Sequence, residues 1–340
     1  MPFYYEILYE MPGMDINMRK QIGWGIIGAG NIAHKFAEGL KATADGMLIA
    51  VGSRSKEKAD EFAHLHNSIK SFGSYSEVAE DSDVDVVYVA TPHSFHYEHT
   101  KMCLLAGKAV LCEKPFTLNA SELEELIAIS KEKKVFLMEA MWTRFLPVMD
   151  RVRKLLEKKV IGEVRMLQAD FGYRADFDPQ SRIFAPELGG GGLLDVGVYT
   201  ISLSSMIFGK EPSEIASLAH LGETGVDEQS AYLLKYDRGQ LSILTSAVST
   251  ATPDEALIIG TEGYIRIPEF WHATKAQVFV DNQMIESINI GLKGNGYEYE
   301  AEEVMRCLME GKLQSKLMSL EESLSIMRTM DKIRNKWRES

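Results

Sequence analysis

The chain has 340 residues, a formal net charge of −12, 45% hydrophobic and 25% charged side chains, an ordinary folded composition far from the signature of disorder. Its length exceeds what one hydrophobic core commonly supports, so two domains are expected. The acidic balance, with a pI near 5.3, opposes general attraction to phosphate backbones or anionic lipid and argues against nucleic acid and membrane surfaces as partners.

Residues 1–20 contain four methionines and no clear period, and read as an N-terminal extension, disordered or an upstream artefact with the true start at Met14 or Met18. They lack the basic-then-apolar order of a secretory signal, and the chain has no run of about 18 apolar residues. Cys103, Cys112 and Cys307 are scattered without a C-x-x-C pair, which suits buried thiols in a reducing compartment. A cytoplasmic location is expected.

From Gln21 to about Thr143, β-branched runs alternate with amphipathic stretches, the pattern of a parallel sheet covered on both faces. Six strands are predicted at Ile22–Ile27, Met47–Gly52, Ser68–Phe72, Val84–Ala90, Ala109–Cys112 and Val135–Glu139, with helices near 31–43, 55–66, 94–106 and 119–133. This is a Rossmann-type, doubly wound nucleotide-binding domain over 21–143. From 144 to 340 the grammar changes to an α+β domain for substrate binding and oligomerisation. It has a helix to Lys158, a strand at Glu163–Phe171, a Gly-rich loop and helix at 189–208, then successive strands between 213 and 288 forming a large, mainly antiparallel sheet. Helical patterns at Glu298–Glu310 and Leu320–Arg338, with acids early and bases late, should pack back on the body.

The first strand runs into Gly28-Ala29-Gly30-Asn31-Ile32-Ala33, a G-x-G-x-x-A turn opening a helix. In that context Gly28, Gly30, Asn31 and Ile32 are expected to hold a dinucleotide pyrophosphate with backbone amides and the positive helix end. The second strand ends in Gly52-Ser53-Arg54-Ser55, where an NAD enzyme usually places an acid for the ribose 2′-hydroxyl. A guanidinium at Arg54 can pair with a 2′-phosphate while Ser53 adds a donor, so NADP is expected over NAD.

The fifth strand ends in Cys112-Glu113-Lys114-Pro115, which aims Lys114 beyond the carboxyl edge where ligands of open parallel sheets bind. The segment Leu188–Tyr199 carries four glycines at 189–192 and places Asp195 and Tyr199 four apart on one helix face. His93, His96 and His99 recur every three residues, but about 300° of helical rotation between neighbours fans them apart, so no metal site is expected. His93 and His99 read as surface residues. No Gly-x-Ser-x-Gly context supports a hydrolytic nucleophile.

These motifs carry a resemblance. Glu113-Lys114-Pro115, Thr91-Pro92-His93-Ser94-Phe95-His96 and, allowing for a shift of frame, Gly190–Asp195 are similar to the Glu-Lys-Pro, Thr-Pro-x-x-x-His and Gly-Gly-Gly-x-x-x-Asp motifs of the glucose–fructose oxidoreductase and inositol 2-dehydrogenase (Gfo/Idh/MocA) family. The likeness covers residues 22 to 338. Tyr199 stands where many members carry His, as in the branch of dimeric dihydrodiol dehydrogenase and NADP-dependent D-xylose dehydrogenase. Glu139–Phe145 and Pro268–Trp271 also resemble that branch.

The resemblance implies an oxidoreductase exchanging a hydride between NADP and a carbohydrate-like alcohol or carbonyl: an aldose, a cyclic polyol or a trans-dihydrodiol. Tyr199 would be the acid/base, Lys114 would lower its pKa and bind the substrate oxygen, and Asp195 would orient the alcohol or Lys114. Bringing a phenol from about 10 to near 7 needs roughly 4 kcal/mol. One ammonium about 4 Å away supplies about that much at an effective dielectric near 20. Thr91, Pro92, His96, Glu113, Lys114, Trp142 and Arg144 would complete the cofactor site, and Arg182, Phe184 and Trp271 would edge the substrate pocket. Pairing of the open sheet faces would give a homodimer. Two rival readings keep the fold: a non-catalytic NAD(P)-binding sensor, distinguished by loss of Lys114 or Tyr199, and a sugar–sugar oxidoreductase retaining tightly bound cofactor.

Overall fold

The computed structural model describes residues 21–338 with the exception of Lys210; the expectation about residues 1–20 lies outside the described residues. The first half is β1 (Ile22–Ile27), α1 (Asn31–Lys41), β2 (Gly46–Gly52), α2 (Lys56–His66), β3 (Lys70–Phe72), α3 (Tyr75–Glu80), β4 (Val86–Val89), α4 (His96–Leu105), β5 (Ala109–Glu113), α5 (Ala120–Lys133) and β6 (Leu137–Ala140). Its strands form one parallel sheet in the order β3-β2-β1-β4-β5-β6. Strands β1, β4, β5 and β6 are buried along their whole length, because helices cover both faces. Phe36 of α1 stacks on Tyr88 of β4 with ring centres 3.8 Å apart, pinning that helix to the sheet. The strand order reverses between β1 and β4, which opens a crevice beyond their carboxyl ends. Helix α3 was not anticipated. It is a single short stretch capped by Ser74, whose hydroxyl accepts from the Glu77 amide and donates to the Glu77 carboxylate at 2.6 Å.

The second half is α6 (Pro147–Glu157), β7 (Val164–Gly172), α7 (Val198–Phe208), β8 (Glu214–Leu221), β9 (Asp227–Lys235), β10 (Leu241–Ala247), β11 (Ala256–Gly260), β12 (Gly263–Ile267), β13 (Lys275–Val280), β14 (Gln283–Asn289), α8 (Glu298–Met309) and α9 (Leu320–Arg338). The sheet order is β14-β13-β12-β11-β7-β10-β9-β8, antiparallel except where β7 and β10 run side by side in parallel. Burial alternates along β9, since α7 covers one face of the sheet and leaves the other open. The open face exposes Leu218, Leu233, Leu241 and Ile243. Pro186–Phe208, which has the length and hydropathy of a membrane span, is mostly buried inside the fold and serves as a core helical stretch.

Helix α9 fastens the two halves. Ser323 donates to Glu139 of β6 at 2.7 Å, Asp331 accepts from the Ala120 amide of α5 at 2.8 Å, and Glu322 pairs with Arg144. The three cysteines are buried and unbonded, as their spacing suggested.

Candidate active site

The cofactor end is built by the turn after β1. Gly28 has φ +95°, and a Cβ there would lie 2.6 Å from the Ala90 carbonyl oxygen, so only glycine lets the turn lie against the end of β4. At Gly30 a Cβ would meet no protein atom within 4 Å, leaving open space over the first turn of α1. Asn31 is exposed and Ile32 half-buried there, and no acid competes in that turn. Unpaired amides, a positive helix end and room for close approach fit a dinucleotide pyrophosphate. Ser53 is buried, with its hydroxyl 3.3 Å from the Ser55 amide, while Arg54 is exposed and reaches Tyr75 of α3. Both sit at the carboxyl end of β2, where the adenosine ribose of a bound dinucleotide lies.

Thr91 and Pro92 continue the rim beyond β4. His96 is fully buried, with its two ring nitrogens 2.7 Å from the Pro115 carbonyl and 2.8 Å from the Thr91 carbonyl. Two carbonyls favour the doubly protonated ring, but burial outweighs them and pushes the imidazole down to about 4. A neutral ring has one N–H and can donate to only one of the two carbonyls at a time, and its seat between them sets the β4 rim beside the β5 rim.

At the chemical end, Lys114 follows β5 and its ammonium donates to the Asp195 carbonyl at 2.7 Å and to the Asp195 carboxylate at 3.2 Å. Asp195 stands in a π-helical turn, Leu193–Gly197, that leads into α7. Its carboxylate also accepts from Arg182 at 2.8 Å and from the Tyr173 hydroxyl at 2.5 Å. Burial opposes the anion, but Lys114 and Arg182 outweigh it and hold the group well below the usual carboxylate range.

Tyr199 is buried, its hydroxyl oxygen accepting from the Trp142 indole N–H at 3.1 Å and the Lys114 ammonium lying 5.1 Å from its ring centre. Burial first, and Glu113 second, push this phenol well above its ordinary value. That reverses the expected lowering by Lys114, whose charge is already compensated by Asp195 at 3.2 Å. Trp142 stacks on Tyr297, 4.6 Å away and nearly parallel, and Phe171 stacks on Trp271 at 5.1 Å, giving the site an aromatic wall.

Lys114, Asp195, Tyr199, Trp142, Arg182 and Trp271 are thus brought into one cluster. Phe184 is buried beside Phe177, 5.0 Å away, behind the loop that carries Arg182. Glu113 spends its oxygens inside the protein, on the Tyr88 hydroxyl and the Lys114 amide. Arg144 does not join the cluster: its buried guanidinium turns to Glu322 of α9, because a charge at that depth needs a paired carboxylate.

The histidine expectation also needs correction. His93 is buried, 8% exposed, because it lies in a 3-10 turn before α4 begins and so escapes the helical fan. Its Nδ1–H donates to the Gly189 carbonyl at 3.1 Å, and the ring stands edge-on to His96 among Lys114, Asp195 and Arg182. His99 is half-buried, with Nδ1 3.0 Å from the Thr91 hydroxyl. Helix α8 supplies Glu300, fully buried and pushed well above the carboxylate range by burial and by Glu113. Its only sequence signal was an acid on the apolar face of an otherwise ordinary helix.

An ammonium has three N–H groups, and two of those on Lys114 are spent on Asp195, which leaves one for a substrate oxygen near a buried phenol that can exchange a proton. A parallel sheet with a pyrophosphate turn, joined to this Lys–Asp–Tyr cluster, defines a dinucleotide-dependent oxidoreductase.

The oxidoreductase family with an NAD-binding Rossmann fold, GFO_IDH_MocA, matches residues 22–141, and the family's C-terminal domain matches residues 149–266. The chain belongs to this family and is a dehydrogenase or reductase of that kind. It is 41% identical to trans-1,2-dihydrobenzene-1,2-diol dehydrogenase of Xenopus laevis over 318 residues, 91% of this chain and 96% of that protein. The enzyme of the same name from Mus musculus is 37% identical over 319 residues, 92% and 95% of the two chains. A 3-ketoreductase from Actinomadura kijaniata, solved in complex with NADP and TDP-benzene, superposes with a TM-score of 0.84 at 26% identity, covering 93% of this chain and 98% of that one.

Proposed function

We propose that this chain is an NADP-dependent dehydrogenase or reductase of a carbohydrate-like CH–OH group, an aldose, cyclic polyol or trans-dihydrodiol, with Tyr199 as the acid/base. The observation that carries this reading is the Lys114 ammonium, 2.7 Å from the Asp195 carbonyl and 5.1 Å from the centre of the Tyr199 ring, at the carboxyl end of the parallel sheet. The relatives' activity on a diol and the NADP held by the 3-ketoreductase support the substrate class and the cofactor.

Gly28, Gly30, Asn31 and Ile32 would hold the pyrophosphate, Ser53 and Arg54 the 2′-phosphate, and Thr91, Pro92 and His96 would border the nicotinamide. When bound, the nicotinamide supplies the two-electron exchange. The remaining N–H of Lys114 holds the reacting oxygen. Tyr199, kept protonated by burial, donates its proton to that oxygen as a carbonyl becomes a hydroxyl, and takes it back in the reverse direction. Asp195 fixes Lys114 in place, and Trp142 fixes the phenol oxygen. The protein would work in the cytoplasm, consistent with its buried, unbonded thiols, and pair through the open sheet as a homodimer.

Initial rates of NADP reduction across aldoses, inositols and trans-dihydrodiols test the reading, with Lys114→Met and Tyr199→Phe beside the wild type. One substrate class should turn over, and each variant should lose kcat by about a hundredfold. Activity that survives both substitutions would remove these residues from the chemistry.

A further inference from the structure

The groups around the reacting centre can be sorted by what they have left to offer a substrate. Lys114 and Arg182 are donors, and Arg182 has a half-exposed side chain at the mouth. The Asp195 carboxylate already accepts from Lys114, Arg182 and Tyr173. The Trp142 indole N–H is spent on Tyr199, and that of Trp271 donates to Asp254 at 3.2 Å. Glu300 keeps two unpaired oxygens but is fully buried, so acceptors open to a substrate are scarce, yet every substrate hydroxyl is a donor as well as an acceptor.

His93 supplies the missing acceptor. A carbonyl oxygen only accepts, so the 3.1 Å contact between Nδ1 and the Gly189 carbonyl places the ring proton on Nδ1 and the lone pair on Nε2. Among the described residues no hydrogen-bonding group meets that Nε2, and although the residue is more than nine-tenths buried, this nitrogen is not sealed from solvent and keeps an opening of its own. The ring is fixed from both sides: it stands edge-on to His96 at 5.6 Å, and a Cβ on Gly189 would lie 3.0 Å from the Cβ of His93. Burial, then the ammonium of Lys114, push the imidazole down to about 3, so across the working pH range it is neutral and accepts. Asp195 is the nearby group that would favour the cation, while His96 and Arg182 join Lys114 in opposing it.

We propose that His93 is a specificity-determining residue whose Nε2 accepts a hydrogen bond from a second substrate hydroxyl, adjacent to the one held by Lys114, so that the site selects vicinal diols and polyols over mono-alcohols. This rests on the reading of Lys114 and Tyr199 given above. Once a bound substrate fills the opening and excludes water, an acceptor left unmatched by a mono-alcohol carries the penalty of an unpaired polar group, and sites of this kind discriminate strongly against an analogue that lacks the hydroxyl.

The probes are trans-cyclohexane-1,2-diol and cyclohexanol, each with NADP, on the full-length wild type, His93→Leu, His93→Gln and Tyr199→Phe. The wild type should favour the diol in kcat/KM by about tenfold or more, the scale of one matched hydrogen bond. His93→Leu should lose most of that preference through a raised KM for the diol, with the fall on cyclohexanol at least several-fold smaller and the shape of the pH profile of kcat kept. His93→Gln, whose amide oxygen accepts, should recover part of the preference. NADP binding followed by fluorescence shows whether each variant is folded, and His93→Phe carries the same prediction as Leu if Leu prevents folding. An equal fall on both probes, or an undiminished diol preference in the Leu and Phe variants, overturns the role of His93 while leaving the site intact if Tyr199→Phe is inactive. A wild type silent on both probes, or a fully active Tyr199→Phe, overturns the reading of the site and this inference with it.

Discussion

Three donors converge on one carboxylate at Asp195, and that convergence governs the protonation of its neighbours. Lys114, bound to a buried anion, has little charge left to stabilise a phenolate, so the resting state holds Tyr199 as an acid. Cofactor choice rests on a different residue. Arg54 is exposed at the carboxyl end of β2, and Arg54→Ser should raise the KM for NADP by tenfold or more while leaving that for NAD nearly unchanged, the behaviour of a guanidinium paired with a 2′-phosphate. A strong NAD preference in the wild type would sink the assignment. Lys114, Asp195 and Tyr199 were legible because short motifs at strand and helix ends carry them. His93 and Arg144 were not, because Gly189 and Glu322 lie 96 and 178 residues away in the chain.

Between elements, the Gly-rich loop is held by Asp227 at the start of β9. Its carboxylate accepts from the Leu193 amide at 2.7 Å, and Gly191, with φ +112°, passes so near that any side chain there would strike it. Burial pushes Asp227 up to about 7, against an unfolded value of about 3.9. A raised folded pKa means the native state binds the proton more tightly. The stabilisation is full below about pH 4 and is lost as pH rises through about 7. Asp227→Asn keeps an acceptor for Leu193 but cannot titrate, so its Tm should gain on that of the wild type between pH 4 and 8. A calorimetric difference that stays flat with pH would show that Asp227 does not titrate in that window. The loop itself was read as a plain helix start, whereas a 3-10 turn at Pro186–Leu188 and a π-helical turn at Leu193–Gly197 build it. Neither has a distinctive period over so few residues, and α3 went unseen for the same reason.

Across the whole molecule, the two sheets differed in how far they could be read. Strands buried on both faces announce themselves as continuous apolar runs, and all six of the first sheet lie within a few residues of their predicted places. In the second sheet, alternation identifies the buried face of each strand but not its neighbours. The position of β7 between β11 and β10, parallel to one and antiparallel to the other, was therefore invisible. Its open face exposes Leu218 at 78% and Leu233 at 50%, and a homodimer would cover them. Sedimentation at micromolar concentration should show a dimer of the 38.1 kDa chain, and Leu218→Glu with Leu233→Lys should shift it to the monomer. A wild type found only as a monomer would contradict the pairing.

The fastening helix α9 is made long after the strand it covers. On the ribosome the first sheet is complete at Ala140, whereas Glu322 and Ser323 leave the tunnel roughly ten seconds or more later at synthesis rates of about 5–20 residues per second. Throughout that interval Arg144 has no carboxylate from α9, and β6 lacks its cover on that side. The nascent chain can form its nucleotide-binding half early, yet the two halves lock only after α9 has emerged, so for that interval the first half must hold its fold without the second.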